Sequence, residues 1–468
     1  MTVPARGVFP TQTSLRPCLT VVRRAPSASL ALLVAVCVGT VAHSAHARDD
    51  ASPSASRPAS SSREESVPPW TDRDEVPLPE GIRSIVPRKS ESAIYAAPGR
   101  LDARRGSVMG NARLPFFGTR RGPGCSGRWF LVGPLAWICS DVAELSEEAP
   151  FRPAPPHNAT GLPFRYFFAG RDGAQGYSSL ARADDEASDM DLEHGFGVAI
   201  VGERTSRSGE HFGLTRSGYL VPLKDLVAAR SSAFHGEKLA PGAPFDLGWV
   251  LPERAKVYAS PAALRSGQKP ATTRVRFELV HVSKIEGALA RTSPEGKTPE
   301  EWMKVADLAR PTTATPPAEV GGADTTERWI DVDLATQTLV AYDGKTPVFA
   351  TLVSTGKGPP RSELGTHLGV HRIWVKILAS KMDNLERDDV EHHYSLEDVP
   401  WVQFFDKAIA LHGVFWHQDF GHVHSHGCVN LAPLDAEELF AFTGPHLPGG
   451  WSAVFPTKIE PGTAIRVR

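Results

Sequence analysis

The sequence predicts a mainly β protein made of several domains. At 468 residues the chain is too long for one ordinary hydrophobic core. Glycine and proline number 41 and 40, which favours short strands joined by turns over long helices. Apolar residues alternate with polar ones in many short runs, and only LDAEELFAFT has clear helical spacing. Together these observations predict small β modules followed by a larger β domain.

Residues 1–47 have the pattern of an export signal. Arg23 and Arg24 precede the apolar run SLALLVAVCVGTVA, and the small residues AHA end at Ala47, after which we expect cleavage. A retained membrane anchor, a lipoprotein attached at Cys37 and a twin-arginine signal are the alternatives. No second long apolar run follows, so we expect no stable membrane span after cleavage. The sequence thus predicts an exported protein of the periplasm or cell envelope.

Residues 48–82 are rich in serine, proline and charge, and they lack apolar periodicity. Such a segment buries too little apolar surface to offset its ordering entropy, so we expect a disordered tether. The first 47 residues carry four arginines and no acid, which leaves 47 basic against 53 acidic residues beyond them. This mildly acidic balance gives no reason to expect nucleic-acid binding.

Two stretches resemble bacterial SH3-like modules. The run IYAAP in residues 83–146 is echoed by VYASP in residues 248–310, and each leads through alternating residues to a tryptophan-bearing strand. Residues 147–247 predict a β-rich intermediate region, and the Pro/Thr-rich residues 311–326 predict a linker. These regions could bind or position a ligand, or they could only pack and act as spacers.

Three cysteines remain beyond the export signal, an odd number for an oxidising compartment. Cys125 and Cys139 lie in one short segment and are the natural disulfide pair. Cys428 is then left as a free thiol.

Residues 327–468 predict a separate C-terminal β domain. RWIDVDLATQTLVAYDGKTPVFATLVSTG alternates through three runs, and the Asp343-Gly344 pair is typical of a hairpin turn. The runs HRIWVK and VPWVQFF follow, and then AIALHGVFWH. This pattern predicts a β-meander followed by further strands.

The tract HGVFWHQDFGHVHSHGCVNL contains five histidines and one cysteine within seventeen residues. Its glycines argue against the helical histidine spacing of many zinc sites, although His422, His424 and His426 would share one face of a strand and could form a surface site. We expect no functional metal. A thiol next to an imidazole can instead form a reactive ion pair, which predicts that Cys428 is a nucleophile. The spacing does not choose its base among the five histidines.

The HG pair at 412–413 and SHGCVN at 425–430 resemble the signature of the L,D-transpeptidase (YkuD-type) catalytic domain. The resemblance extends over about 140 residues and implies a β-sandwich that acts on peptidoglycan without a cofactor. It implies that Cys428 is the nucleophile and His412 the general base, oriented through the backbone of Gly413. The remaining implied catalytic residues shape the oxyanion site and the turn: His426, Gly427 and Ser425.

The same resemblance implies that substrate is bound by Asn430, Trp416 and Tyr394, although core packing is the alternative for the two aromatic residues. It gives no catalytic role to the other histidines, and we expect His417 only to pack. One departure is Thr366-His367-Leu368-Gly369, where the family often has TPxG. We expect the missing proline to loosen a loop near the acyl-donor pocket.

The implied reaction is attack of Cys428 on the diaminopimelate carbonyl at position three of a stem tetrapeptide, with release of D-Ala. The thioester could pass to another stem peptide, to a protein, or to water, and the sequence does not choose among these acceptors. A non-catalytic wall-binding scaffold is the alternative from another class of protein. The oligomeric state is left open.

Overall fold

The computed structural model describes residues 75–76, 79–156, 158–386 and 393–468. The expected export signal and most of the expected tether fall outside these ranges. The described chain is mainly β, as predicted, with three short α-helices. Among the described residues, no helix has the length and apolar character needed to cross a membrane.

The first region contributes antiparallel strands to two sheets. Six of them, in the order β1-β6-β7-β8-β3-β4, form one end of a 16-stranded sheet, and the other three form a sheet of order β5-β2-β9. Cys125 and Cys139 are disulfide-bonded in this region, and Cys428 is a free thiol. The strands are β1 (Glu75–Val76), β2 (Ser84–Pro87), β3 (Ser92–Tyr95), β4 (Arg104–Val108), β5 (Leu114–Pro115), β6 (Gly118–Arg120), β7 (Trp129–Gly133), β8 (Ala136–Cys139) and β9 (Ala143–Ser146).

The second region contains a short helix that follows a strand and a tyrosine. Tyr177 follows β11, and Ser179 then caps α1 by accepting a hydrogen bond from the backbone amide of Arg182. The elements are β10 (Arg165–Ala169), β11 (Ala174–Gly176), α1 (Leu180–Asp184), β12 (Met190–Leu192), β13 (Gly197–Thr205), β14 (His211–Thr215), β15 (Leu220–Pro222), β16 (Leu226–Ala228) and β17 (Glu237–Lys238). A 3₁₀ turn joins β15 to β16.

The third region shares part of that element order. Tyr258 follows β19, Ser260 caps α2, and a 3₁₀ turn joins β24 to β25. The pattern of strand, tyrosine, serine cap and short helix is therefore shared with the intermediate region, which the sequence comparison did not link to residues 248–310. The elements are β18 (Leu247–Val250), β19 (Arg254–Val257), α2 (Pro261–Arg265), β20 (Thr272–Val275), β21 (Leu279–His281), β22 (Lys284–Glu286), β23 (Leu289–Arg291), β24 (Trp302–Lys304) and β25 (Leu308–Ala309).

The C-terminal domain contains the predicted meander, whose three runs form β26, β27 and β28. These strands belong to a sheet of order β17-β28-β27-β26-β35-β29, while β34, β30, β31, β32 and β33 lie in a second sheet. The elements are β26 (Arg328–Asp333), β27 (Thr338–Asp343), β28 (Thr346–Leu352), β29 (Gly369–Arg372), β30 (Val375–Asp383), β31 (Ser395–Asp406), β32 (Ile409–Gly413), β33 (Val429–Leu431), α3 (Pro433–Phe442), β34 (Trp451–Val454) and β35 (Ala464–Val467).

Strands from the earlier regions extend both C-terminal sheets. β34 pairs antiparallel with β4 of the first region, and β28 pairs with β17 of the second. One continuous apolar core contains Ile85 and Val108 from the first region together with Ile330 and Leu411. The C-terminal domain therefore shares its sheets and its core with the regions that precede it.

Helix α3 is held by a buried carboxylate. The side chain of Asp435 is fully buried and accepts hydrogen bonds from the His235 Nδ1, the Gly236 amide and the Thr351 hydroxyl. Burial raises the pKa of Asp435, whereas the hydrogen bond to Asp435 raises the pKa of His235. Asp435, near the start of α3, therefore connects this helix to the intermediate region.

Candidate active site

The histidine-rich tract connects two parallel strands. β32 ends at Gly413 and β33 begins at Val429, with His412 opposite Asn430 and Leu411 opposite Val429. Cys428 directly precedes β33. Because this parallel pairing brings the two ends of the tract side by side, residues that are eighteen apart in sequence, such as His412 and Asn430, lie opposite each other.

The Cys428 thiol is half-buried at the start of β33. Its Sγ lies 3.7 Å from the carbonyl oxygen of Ala408. Burial raises the pKa of the Cys428 thiol to about 11, and a backbone hydrogen bond from Ala410 opposes that shift. The resting group is therefore the neutral thiol.

His412 is almost completely buried at the end of β32, with 2% of its surface exposed. Its Nδ1–H donates to the carbonyl oxygen of Gly413 at 3.1 Å, which leaves the lone pair on Nε2. Burial lowers the pKa of His412 to about 4, so the ring is neutral at physiological pH. The ring of Trp416 stacks on it with centroids 5.8 Å apart.

Both shifts bear on the ion pair that a thiol beside an imidazole can form. A raised thiol pKa and a lowered imidazole pKa both disfavour the charged forms of Cys428 and His412. The arrangement instead suits general-base catalysis, in which the neutral imidazole accepts the thiol proton during attack.

Two hydroxyl side chains and one glycine hold the turn before the thiol. The Ser425 hydroxyl donates to the Cys428 carbonyl at 2.5 Å and accepts from the Gly427 amide at 3.1 Å. Gly427 has a φ of 124°, which side chains other than glycine rarely adopt. The Thr366 hydroxyl donates to the Gly427 carbonyl at 2.7 Å. Ser425 thus supports the turn, and the Gly427 amide is already occupied.

The Thr366–Gly369 segment is tied down without the family's proline. His367 Nδ1 lies 2.6 Å from a carboxylate oxygen of Asp406, and His371 Nε2 lies 3.2 Å from the His367 carbonyl. We expected this segment to be loose because it lacks the proline, but these contacts anchor it. The role of Thr366 in holding Gly427 was missed, although its position in the quoted motif could have suggested it.

Aromatic side chains lie on both sides of the site. The Tyr394 ring stacks on His426 with centroids 6.2 Å apart, and Trp416 contacts His412. Behind Trp416, the Phe415 ring stacks on Tyr166 of the intermediate region at 4.1 Å. The intermediate region was expected to bind a ligand or to act as a spacer. Through this contact it also packs against the histidine-rich tract.

His417 does more than pack. It is buried, its Nδ1 accepts from the Asp419 amide at 3.1 Å, and its Nε2 lies 2.8 Å from the Asn430 side-chain amide. Burial is the main cause that lowers the pKa of His417 to about 3. Asn430 is thereby linked to a histidine that the sequence excluded from the site.

The histidines do not group as the strand argument suggested. The donor atoms of His417, Asp419 and His424 lie within 4.8 Å of one another, whereas His422 and His426 are exposed and outside this group. Asp419 forms ion pairs with His424 at 3.1 Å and with Arg276 at 3.6 Å. The arginine already offsets the charge that would attract a cation.

A family model described as the L,D-transpeptidase catalytic domain, YkuD, matches residues 327–467. The protein carries an L,D-transpeptidase domain. The match begins at the first strand of the meander and ends in β35, so it contains the whole tract. No curated protein matches the chain.

Solved structures similar to this chain include L,D-transpeptidases. A mutant L,D-transpeptidase of Enterococcus faecium is 23% identical, with 30% of this chain and 50% of that chain covered and a TM-score of 0.23. The L,D-transpeptidase of Stackebrandtia nassauensis is 26% identical, with 30% of this chain and 55% of that chain covered and a TM-score of 0.20. The L,D-transpeptidase of Mycobacterium smegmatis is 17% identical, with 41% of this chain and 89% of that chain covered and a TM-score of 0.24. The chain spans about half the length of the first two relatives.

Within the L,D-transpeptidase domain, the elements that carry the expected site residues are β32, β33 and the tract between them. The strand pairing places His412 opposite Asn430, and Cys428 lies two residues before Asn430. Tyr394 reaches the site from the start of β31 by contact with His426.

Proposed function

We propose that this protein is an exported cysteine acyltransferase that acts on peptidoglycan stem peptides by L,D-transpeptidation. The observation that carries the proposal is the free thiol of Cys428 beside a strand that presents a neutral His412, whose Nδ1–H is fixed on Gly413. A protein that only binds the wall has no need of a histidine held in this tautomer. The L,D-transpeptidase domain supports the choice of substrate class.

In the acylation step, His412 Nε2 accepts the thiol proton as the Cys428 sulfur attacks the carbonyl of the third residue of a stem tetrapeptide. The new C–S bond forms a tetrahedral intermediate, whose oxyanion is expected to be held by backbone amides such as that of Cys428. The imidazolium then donates its proton to the leaving nitrogen as the C–N bond breaks. D-Ala leaves, and a thioester remains.

In the second step, an amine attacks the thioester carbonyl and loses its proton to His412. The C–S bond breaks, the sulfur regains a proton from the imidazolium, and a new amide forms. An amine from another stem would give a 3–3 cross-link, an amine from a protein would attach that protein to the wall, and water would give a carboxypeptidase.

The proposal is tested by incubating the protein, produced from residue 48 onward, with purified stem tetrapeptides. We expect mass spectrometry to find released D-Ala and a transient thioester on Cys428. Cys428→Ala is the control and should yield neither product. A wild-type protein that binds stem peptides but forms no thioester and releases no D-Ala would favour the scaffold.

A further inference from the structure

The backbone amide of Asp419 determines which side chain is the donor in the contact between His417 and Asn430. The Asp419 backbone N–H donates to His417 Nδ1 at 3.1 Å. A ring nitrogen that accepts a hydrogen bond carries no proton, and the buried ring is neutral. The single proton of the His417 imidazole therefore lies on Nε2.

That proton decides which way the Asn430 amide faces. Nε2 lies 2.8 Å from Nδ2 of Asn430, so this contact would join two donors. An asparagine amide fills the same space after a half-turn that exchanges its oxygen and nitrogen. Only the orientation with Oδ1 towards His417 gives the Nε2–H an acceptor.

The half-turn moves the NH₂ group of Asn430 to the position that Oδ1 now holds. The position now held by Oδ1 is buried and has no hydrogen-bond partner among the described residues. After the half-turn, this position holds a buried donor that has no acceptor among the described residues. Asn430 lies directly opposite His412 and two residues after Cys428, so Asn430 and Cys428 have the same strand phase.

We propose that His417 is a positioning residue, which fixes the Asn430 amide so that its NH₂ group donates a hydrogen bond to a carbonyl or carboxylate oxygen of the acyl-donor peptide. This inference rests on the proposed function. His417 itself does not contact the substrate. Its action passes through one hydrogen bond to Asn430.

The tautomer can be measured on the wild-type protein by two-bond ¹H–¹⁵N correlation spectra with ¹⁵N-labelled histidine. We expect His417 to carry its proton on Nε2 and to remain neutral from pH 5 to pH 8. A proton on Nδ1, or a charged ring at pH 6, would overturn the proposal. This readout does not depend on any reaction of the protein.

Two matched variants separate the two ring nitrogens. In His417→Gln the side-chain NH₂ can reach the place of Nε2 and donate to Asn430, whereas the shorter His417→Asn can only replace Nδ1. We expect His417→Asn to lower kcat/KM for the tetrapeptide roughly tenfold, the effect of one hydrogen bond, and His417→Gln to recover most of that loss.

A double-mutant cycle shows whether the effect passes through Asn430. In an Asn430→Ala background, His417→Gln and His417→Asn should have equal kcat/KM values. Equal values for the two variants in the presence of Asn430 would overturn the proposal, as would a difference that persists without it. Alkylation of Cys428 by iodoacetamide and the thermal midpoint show whether each variant is folded.

Failure of the proposed function gives a different result. A wild-type protein that is folded and alkylated but releases no D-Ala contradicts the acyltransferase, and the proposal about His417 falls with it. A wild-type protein that releases D-Ala while the two His417 variants match it contradicts only the role of His417.

Discussion

His412 and His417 lie five residues apart at the two ends of one short segment, and their rings hold the proton on opposite nitrogens. Both are buried and both have lowered pKa values. His412 Nδ1 faces the Gly413 carbonyl and donates, whereas His417 Nδ1 faces the Asp419 amide and accepts. The backbone group beside each ring therefore leaves a lone pair on Nε2 of His412 and a proton on Nε2 of His417.

The difference shows why burial alone does not identify a catalytic histidine. Burial keeps both rings neutral, but only His412 has a free lone pair on Nε2 and lies in the strand beside Cys428. His417 directs its Nε2–H to Asn430, so in the proposed mechanism it orients the Asn430 amide and takes no part in proton transfer to the sulfur. The two histidines should respond differently to the same measurements.

The largest expected effect is the loss of turnover when the base or nucleophile is removed. Cys428→Ala and Cys428→Ser should both abolish acyl transfer, since a serine hydroxyl is far less acidic than a thiol. His412→Ala should reduce kcat by roughly 10²–10⁴, the usual contribution of a general base. Turnover of tetrapeptide by the purified variants measures both effects. Normal turnover in His412→Ala would move the base elsewhere in the tract.

The pH dependence of thiol alkylation distinguishes a neutral pair from an ion pair. Because burial raises the pKa of Cys428 to about 11, the rate of iodoacetamide alkylation should rise continuously between pH 6 and pH 10. His412→Ala should react more slowly near neutral pH and approach the wild-type rate only near pH 11, well above the free-cysteine value of about 8.5. A flat rate between pH 5 and pH 9 would contradict this assignment and indicate a preformed ion pair.

The sequence could predict the three-strand meander that starts the domain, because alternation and a hairpin turn are local patterns. That Cys428 is the nucleophile stays a prediction from a local motif. The sequence could not predict the contacts of His417, since the Asp419 amide that orients this ring belongs to a loop with no periodicity. Nor could it predict that β17, only two residues long, would pair with β28 and place His235 against Asp435. Such contacts depend on which distant strand meets a sheet edge, and alternation within a single strand does not specify that partner.

A smaller effect is expected on stability at acidic pH. The lowered pKa of His412, about 4 against 6.5, means that the unfolded chain binds more protons than the folded protein between these values. Its contribution to stability is therefore complete above pH 6.5 and is lost as the pH falls towards 4, by roughly 3 kcal/mol. His417 acts in the same direction over a range that reaches lower pH.

Denaturant unfolding of wild type and His412→Gln between pH 4 and pH 8 measures this loss. The variant should lose less free energy of unfolding over that range because one titrating ring is gone. Parallel curves for the two proteins would show that His412 does not change its pKa on folding.

The smallest expected effect is that of chelation, and it concerns the His417 side of the comparison. His417, Asp419 and His424 bring three donor atoms together, but the Asp419 amide occupies His417 Nδ1, and the Asp419 carboxylate pairs with His424 and Arg276. If these contacts alone hold His417, EDTA should change the rate of acyl transfer by less than about twofold. It should shift the thermal midpoint by less than about 2 °C. A loss of activity in EDTA that zinc restores would mean that a metal on Nδ1, and not the Asp419 amide, sets the His417 tautomer. Because either ligand would leave the proton on Nε2, that result would change what holds His417 while preserving its contrast with His412.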